Sequence, residues 1–189
     1  MGSPELPYLG ERYRCACLLA GRPYGDPFGL DIAFASPCAP PVEELGGSDL
    51  LSFLGIEPVA YRVISREAHI AEKLHAYSYP RPPTSVNARL KDLPDIALLA
   101  TTSGLRAGRI RAAVQFTFAR RGSHAVPSVL GEPPVEWVAR YPAMAADNRL
   151  PWPTLDDVLV AARAFVDPIL ASNDDAEWDP IGWVWRAVA

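Results

Sequence analysis

The segment that most constrains this chain is residues 59–83. An apolar run, Val59-Ala-Tyr-Arg-Val-Ile64, has the length and β-branched content of a strand. It ends at Ser65, a good helix N-cap, and Glu67 then stands in a first turn where the helix dipole favours an acid. Ile70, Leu74 and Tyr77 follow at the i, i+4, i+7 spacing of one buried face. Pro80, Pro82 and Pro83 forbid continuation beyond about Tyr79. The spacing therefore predicts a strand leading directly into an amphipathic helix. At ~100° per residue, Lys73 lies roughly 60° from Ile70, on the edge of the buried stripe. The helical wheel by itself favours a snorkelling lysine, with a packed stem and a hydrated amine.

A second charged motif follows, Arg89-Leu-Lys-Asp-Leu-Pro-Asp95. Pro94 suits the first turn of a helix and not its interior. With Asp92 as N-cap, Asp95 falls three residues on, in a capping-box-like arrangement. Capping alone would explain both aspartates.

Upstream, Tyr13-Arg-Cys-Ala-Cys-Leu-Leu-Ala20 and Phe28-Gly-Leu-Asp-Ile-Ala-Phe-Ala35 are strand-length, and Gly21-Arg-Pro-Tyr-Gly-Asp-Pro27 between them is turn chemistry. An antiparallel hairpin is expected. Asp31 is the one charge inside the second run, where a carboxylate is disfavoured; it faces either solvent or a site. Residues 36–55 read as loop, with Pro37-Cys-Ala-Pro-Pro41 and a surface turn at Gly46-Gly-Ser-Asp49. Cys15, Cys17 and Cys38 form no C-x-x-C pair, so buried small residues are expected rather than a disulfide framework or a metal site.

Downstream the reading is mostly helical. Residues 104–121 carry aliphatic spacing, residues 133–146 a short helix, and Thr154 with Asp156 and Asp157 opens a helix running to about Leu170. Trp178, Trp183 and Trp185 are expected to pack. No apolar run approaches the ~20 residues of a membrane span, and no basic stretch leads into an apolar one at the start. A cytoplasmic, non-membrane protein is the expectation.

The net charge of −4 is unevenly distributed. Residues 61–121 carry eleven Lys/Arg against four Asp/Glu, leaving −11 on the rest. A basic middle can attract a phosphate-rich partner, with Arg120 and Arg121 as contacts. Solvated helix faces explain it equally well, and the pI of about 5.4 is not that of a basic nucleic-acid-binding domain.

Several ordered motifs resemble the AbiEii-type nucleotidyltransferase toxins. Arg62-Val-Ile-Ser-Arg-Glu-Ala-His-Ile-Ala-Glu-Lys-Leu-His-Ala76 is similar to the family's segment around its active-site lysine. Arg89-Leu-Lys-Asp-Leu-Pro-Asp-Ile-Ala-Leu-Leu99 is similar to the family's next motif, with Leu93-Pro94 where an aromatic and a helix-compatible residue are usual. Phe116-Thr-Phe-Ala-Arg-Arg-Gly-Ser-His-Ala-Val-Pro127, Pro133-Pro-Val-Glu-Trp137 and Phe165-Val-Asp-Pro168 are similar to later stretches.

The resemblance implies an α+β fold, a nucleotidyltransferase-like mixed sheet over residues 1–102 followed by a helical C-terminal lobe over 103–189. It implies transfer of a nucleotide from an NTP, with Mg²⁺ held by carboxylates, onto an acceptor that is tRNA in some members, in a toxin paired with an antitoxin. Lys73 would contact the triphosphate, Asp95 would be the motif's acid with Asp92 as second candidate, Arg89 and Arg120 would contact phosphates, and Asp31 would be the metal ligand. The family's Gly-Ser loop and Asp-x-Asp strand have no counterpart in these 189 residues. The expectation is therefore a truncated, inactive transferase domain, with a non-catalytic protein that binds an antitoxin or RNA as the alternative. The in-frame DNA upstream distinguishes the two.

Overall fold

Ser65 takes an extended conformation and its hydroxyl accepts the Ala68 N–H at 3.2 Å, so the local capping signal starts helix α1, Arg66–Ser78. Tyr79 is extended again as the chain enters Pro80. In the computed structural model, which describes residues 10–33, 42–81 and 89–188, this helix is the centre of the core. Ala68, Ile70, Ala71, Leu74 and Tyr77 are buried on it, packed against α2 (Asp92–Leu99) and α3 (Ala107–Arg121). Helix α4 (Trp137–Asp147) contributes Trp137 and Tyr141, both fully buried, and α5 (Leu155–Ala171) packs its apolar stripe on α2 and α3. As expected, Thr154 opens α5, in a full capping box: its hydroxyl accepts from the Asp157 N–H, and the Asp157 carboxylate reaches back to the Thr154 N–H.

The chain divides into two compact units, Met1–Cys38 and Ala39–Ala189. The first holds an antiparallel hairpin of β1 (Gly10–Leu19) and β2 (Arg22–Ala33). Its turn is tighter than the sequence suggests. Ala20 and Gly21 alone make it, both at positive φ, the geometry of a two-residue hairpin loop. The stretch read as turn is therefore strand, and Pro23 and Pro27 are tolerated because each strand of a two-stranded sheet is an edge. A register shift between Cys15 and Cys17 replaces simple alternation. Both thiols are free and Cys17 is exposed, so the expectation of burial fails there. Cys38 lies outside the described residues, as do residues 34–41 of the expected strand and loop, and Pro82 and Pro83.

In the second unit, β3 (Val42–Leu45) pairs antiparallel with β4 (Tyr61–Ile64), the strand that feeds α1. Residues 42–45 were expected as loop. A four-residue strand with two glutamates carries little local signal, and its partner is distant in sequence. The turn at Gly46–Asp49 connects back through Gly47, where a Cβ would meet the Val59 carbonyl oxygen at 2.4 Å, so only glycine fits. A third pair, β5 (Ala176–Asp179) and β6 (Val184–Ala187), stands in a region expected to be helical. Its tryptophans hold it to the helices. Trp178 donates its indole N–H to the Ala100 carbonyl at 2.6 Å, Trp183 to Ala161 at 3.0 Å and Trp185 to Phe165 at 2.8 Å. The architecture is α+β: among the described residues the first unit holds one antiparallel strand pair, and the second holds five helices and two further antiparallel pairs. One cluster of buried residues runs from α1 to Trp178 on β5.

Candidate functional site

Packing α1 against the start of α2 sets Lys73 facing Asp92 and Asp95. The Lys73 Nζ is 2.6 Å from Asp95 Oδ2 and 3.1 Å from Asp92 Oδ1. The capping explanation of the two aspartates fails. Lys91 occupies the N-cap position of α2 and no side chain caps it. Asp92 is instead the first helical residue, its N–H bonded to the Arg89 carbonyl, and its carboxylate turns to the ammonium. The full positive charge of the ammonium outcompetes the partial charge of a backbone N–H for the carboxylate.

Asp92 is only 4% exposed and Asp95 35%. Burial by itself would lower the Lys73 pKa, but hydrogen bonds to Asp95 and Asp92 and their charges outweigh it and hold the amine above its usual range. Lys73 is thus a permanent cation, suited to stabilising negative charge and not to abstracting a proton. Asp92 Oδ2 is buried without a hydrogen-bond partner; Arg89 Nε stands 4.0 Å away, ion-pair distance only. One turn before Lys73, burial and the lysine charge push the His69 imidazole down, opposed by Asp95 and Asp92. His69 went unremarked in the sequence, although its i, i+4 spacing from Lys73 places both on one helical face.

These residues line a cleft of about 480 Å³. Lys73, Asp92 and Asp95 share it with Arg89, Lys91 and, from α4, Arg140, over a floor that includes Leu90 and Met144. Arg140 is a residue that sequence reasoning missed. Nothing local marks it, because it reaches the cleft only through the packing of α4.

Arg120 and Asp31 have ion-pair partners of their own. Arg120 does not line this cleft; with Arg121 it clamps Glu72 across the α1–α3 contact. Asp31 stands on β2 directly opposite Arg12, whose guanidinium binds both its oxygens at 2.5 and 2.7 Å. That hydrogen bonding holds the Asp31 carboxyl below its usual range. Among the described residues no group of three or more His, Cys, Asp or Glu could hold a metal ion. Asp31 is engaged by Arg12, and Asp92 and Asp95 by Lys73, so the described carboxylates do not by themselves fit Mg²⁺. No described helix is long and apolar enough to cross a membrane.

A half-buried ammonium is held between two carboxylates in a cleft rimmed by further cations, an arrangement whose charge can attract an anion. The family model described as nucleotidyl transferase AbiEii toxin, type IV toxin–antitoxin system, matches residues 6–179. The chain belongs to that family of toxin–antitoxin nucleotidyltransferases. No curated protein matches it.

Proposed function

We propose that this cleft serves nucleotide transfer from an NTP to an acceptor, with a tRNA 3′ end as the acceptor to test first and a cognate antitoxin as the protein partner, in the cytoplasm. The observation that carries the reading is Lys73 pinned between Asp92 and Asp95 in a cleft with Arg89, Lys91 and Arg140. An ammonium has three N–H donors. Two go to the carboxylates, and the third remains for a ligand oxygen. Transfer of a phosphoryl-type group relies on positioning and charge stabilisation, which a fixed cation supplies. Magnesium belongs to this reading as the cation accompanying the NTP.

The same engagement favours the second reading. The 189 residues contain no Asp-x-Asp, and both cleft aspartates are tied to Lys73. We propose that these residues alone do not transfer a nucleotide. As a non-catalytic protein, the chain would bind its antitoxin or RNA.

The test is incubation with labelled NTPs, Mg²⁺ and total tRNA. The 189-residue chain is expected to give no product, a version carrying the in-frame upstream codons to label tRNA, and Lys73→Ala in that version to abolish labelling. Labelling by the 189 residues would overturn the inactivity. An extended version that never labels would leave the binding reading standing.

A further inference from the structure

The charges of the cleft do not cancel. Lys73 is matched by Asp92 and Asp95, and Arg89 stands within ion-pair distance of Asp92. Lys91 and Arg140 complete the lining, and neither side chain has an ion-pair or hydrogen-bond partner among the described residues. They come from different elements, one immediately before α2 and the other on α4. No side chain caps α2, so the positive end of its dipole adds to theirs. Beside them Asp92 Oδ2, on a side chain 4% exposed, accepts no hydrogen bond. The cleft therefore lacks two things: an anion for Lys91 and Arg140, and a donor for Asp92.

We propose that Lys91 and Arg140 form a phosphate subsite, separate from Lys73, for a nucleotide that is either free as the NTP or part of an RNA strand. A nucleotide carries both missing groups, the phosphate for the two cations and hydroxyl or amino donors for the carboxylate oxygen. The division of labour suits the side chains. The Arg140 guanidinium presents a planar fork that matches two phosphate oxygens, and Lys91 adds a point charge on a flexible stem. Both are exposed, so they can reach a ligand without disturbing the core.

The inference rests on the nucleotide reading of the cleft only for ligand class, and its test reads binding without turnover. Equilibrium binding of ATP and, separately, of a short single-stranded RNA is measured for the chain, for Lys91→Ala/Arg140→Ala, for Arg140→Gln and for Arg140→Lys, with circular dichroism confirming the fold. The double variant is expected to lose at least tenfold in affinity for one of the two ligands, Arg140→Gln a smaller part, and Arg140→Lys to retain most of it. The ligand that weakens names the source of the phosphate. If it is the RNA, the salt dependence of log K should flatten by about 1.4, at ~0.7 per contact on a single strand. A folded double variant that binds both ligands like the parent, or a parent that binds neither, overturns the subsite. Binding that depends on Lys91 and Arg140 in a protein that never labels tRNA would uphold the subsite and reject nucleotide transfer.

Discussion

Lys73 Nζ lies 2.6 Å from Asp95 Oδ2, a bond that joins α1 to the first turn of α2 across twenty-two residues of sequence. The same amine holds Asp92, which is far more buried. The two aspartates therefore differ in what they lose when the lysine is removed. Without its cation Asp95 can hydrate, whereas Asp92 is left as a buried charge.

Lys73→Ala is accordingly expected to destabilise the protein by about 2–3 kcal/mol, below the ~3–5 kcal/mol for breaking a fully buried pair because the lysine side chain is partly exposed. Asp95→Ala should cost less, about 1 kcal/mol. Lys73→Ala/Asp92→Ala should be more stable than Lys73→Ala, since the stranded carboxylate is gone. Urea unfolding midpoints of the three variants check this; a double variant less stable than the single one would show that Asp92 is not the residue left stranded.

How much of this was legible depends on how local each cause is. Ser65, Pro80 and the Ile70-Leu74-Tyr77 stripe specify α1 within sixteen residues, and Thr154 with Asp157 specifies the start of α5 in four. The pairing of β3 with β4 and of β5 with β6 is set by tertiary contacts, and four-residue strands leave almost no periodicity to read. The aspartates show the same divide. Read locally they are caps; the lysine that claims them is nineteen and twenty-two residues away. Family resemblance supplied Lys73 and Asp95 where the helical wheel favoured solvent. It gave no hint of Arg140, which joins the cleft only once α4 packs.

Trp178 ties the C-terminal strand pair to the end of α2 through the Ala100 carbonyl. Trp178→Phe keeps most of the packing against Phe165, whose ring centroid is 4.9 Å away, but leaves that carbonyl without its donor. A loss of about 1–3 kcal/mol is expected. Trp178→Ala adds a cavity in the aromatic cluster and should cost about 3–5 kcal/mol. Equal losses for the two variants, measured by denaturant unfolding, would mean that the hydrogen bond dominates and packing does not.

Thr154→Ala removes the capping box of α5, which lies away from the cleft lining. Loss of about 1 kcal/mol is expected. Ligand affinity should be unchanged, so this variant separates global stability from the cleft. A change in ATP or RNA affinity in Thr154→Ala would tie α5 to the cleft energetically.

The histidines are expected to govern the first loss of stability on acidification. All three in the chain, His69, His75 and His124, are held below their usual pKa of 6.5, each chiefly by burial. His75 and His124 are linked through serines. Ser78 Oγ donates to the Leu74 carbonyl at 2.8 Å, so it accepts from His124 Nε2 at 2.9 Å. His124 Nδ1 is then the acceptor for the Ser123 hydroxyl at 2.9 Å, and Ser123 in turn accepts from His75 Nε2 at 2.8 Å. One helix carbonyl thus fixes the direction of the whole chain and requires a neutral His124. Protonating Nδ1 breaks the bond to Ser123 and places a cation against the His75 ring, 4.6 Å away, near Arg120 and Arg121. Because the folded pKa values lie below the unfolded one, the unfolded chain binds more protons as the pH falls. The stability these groups contribute is fully present above about pH 6.5 and is lost as the pH drops through the lower folded values. Asp31 and Asp179, also held low, act only further down, below about pH 3.8. The melting temperature should therefore begin to fall just below pH 6.5, and His124→Gln should flatten that first step. A melting temperature level between pH 6.5 and 4.5, or a slope unchanged in His124→Gln, would show that the serine–histidine chain does not set it.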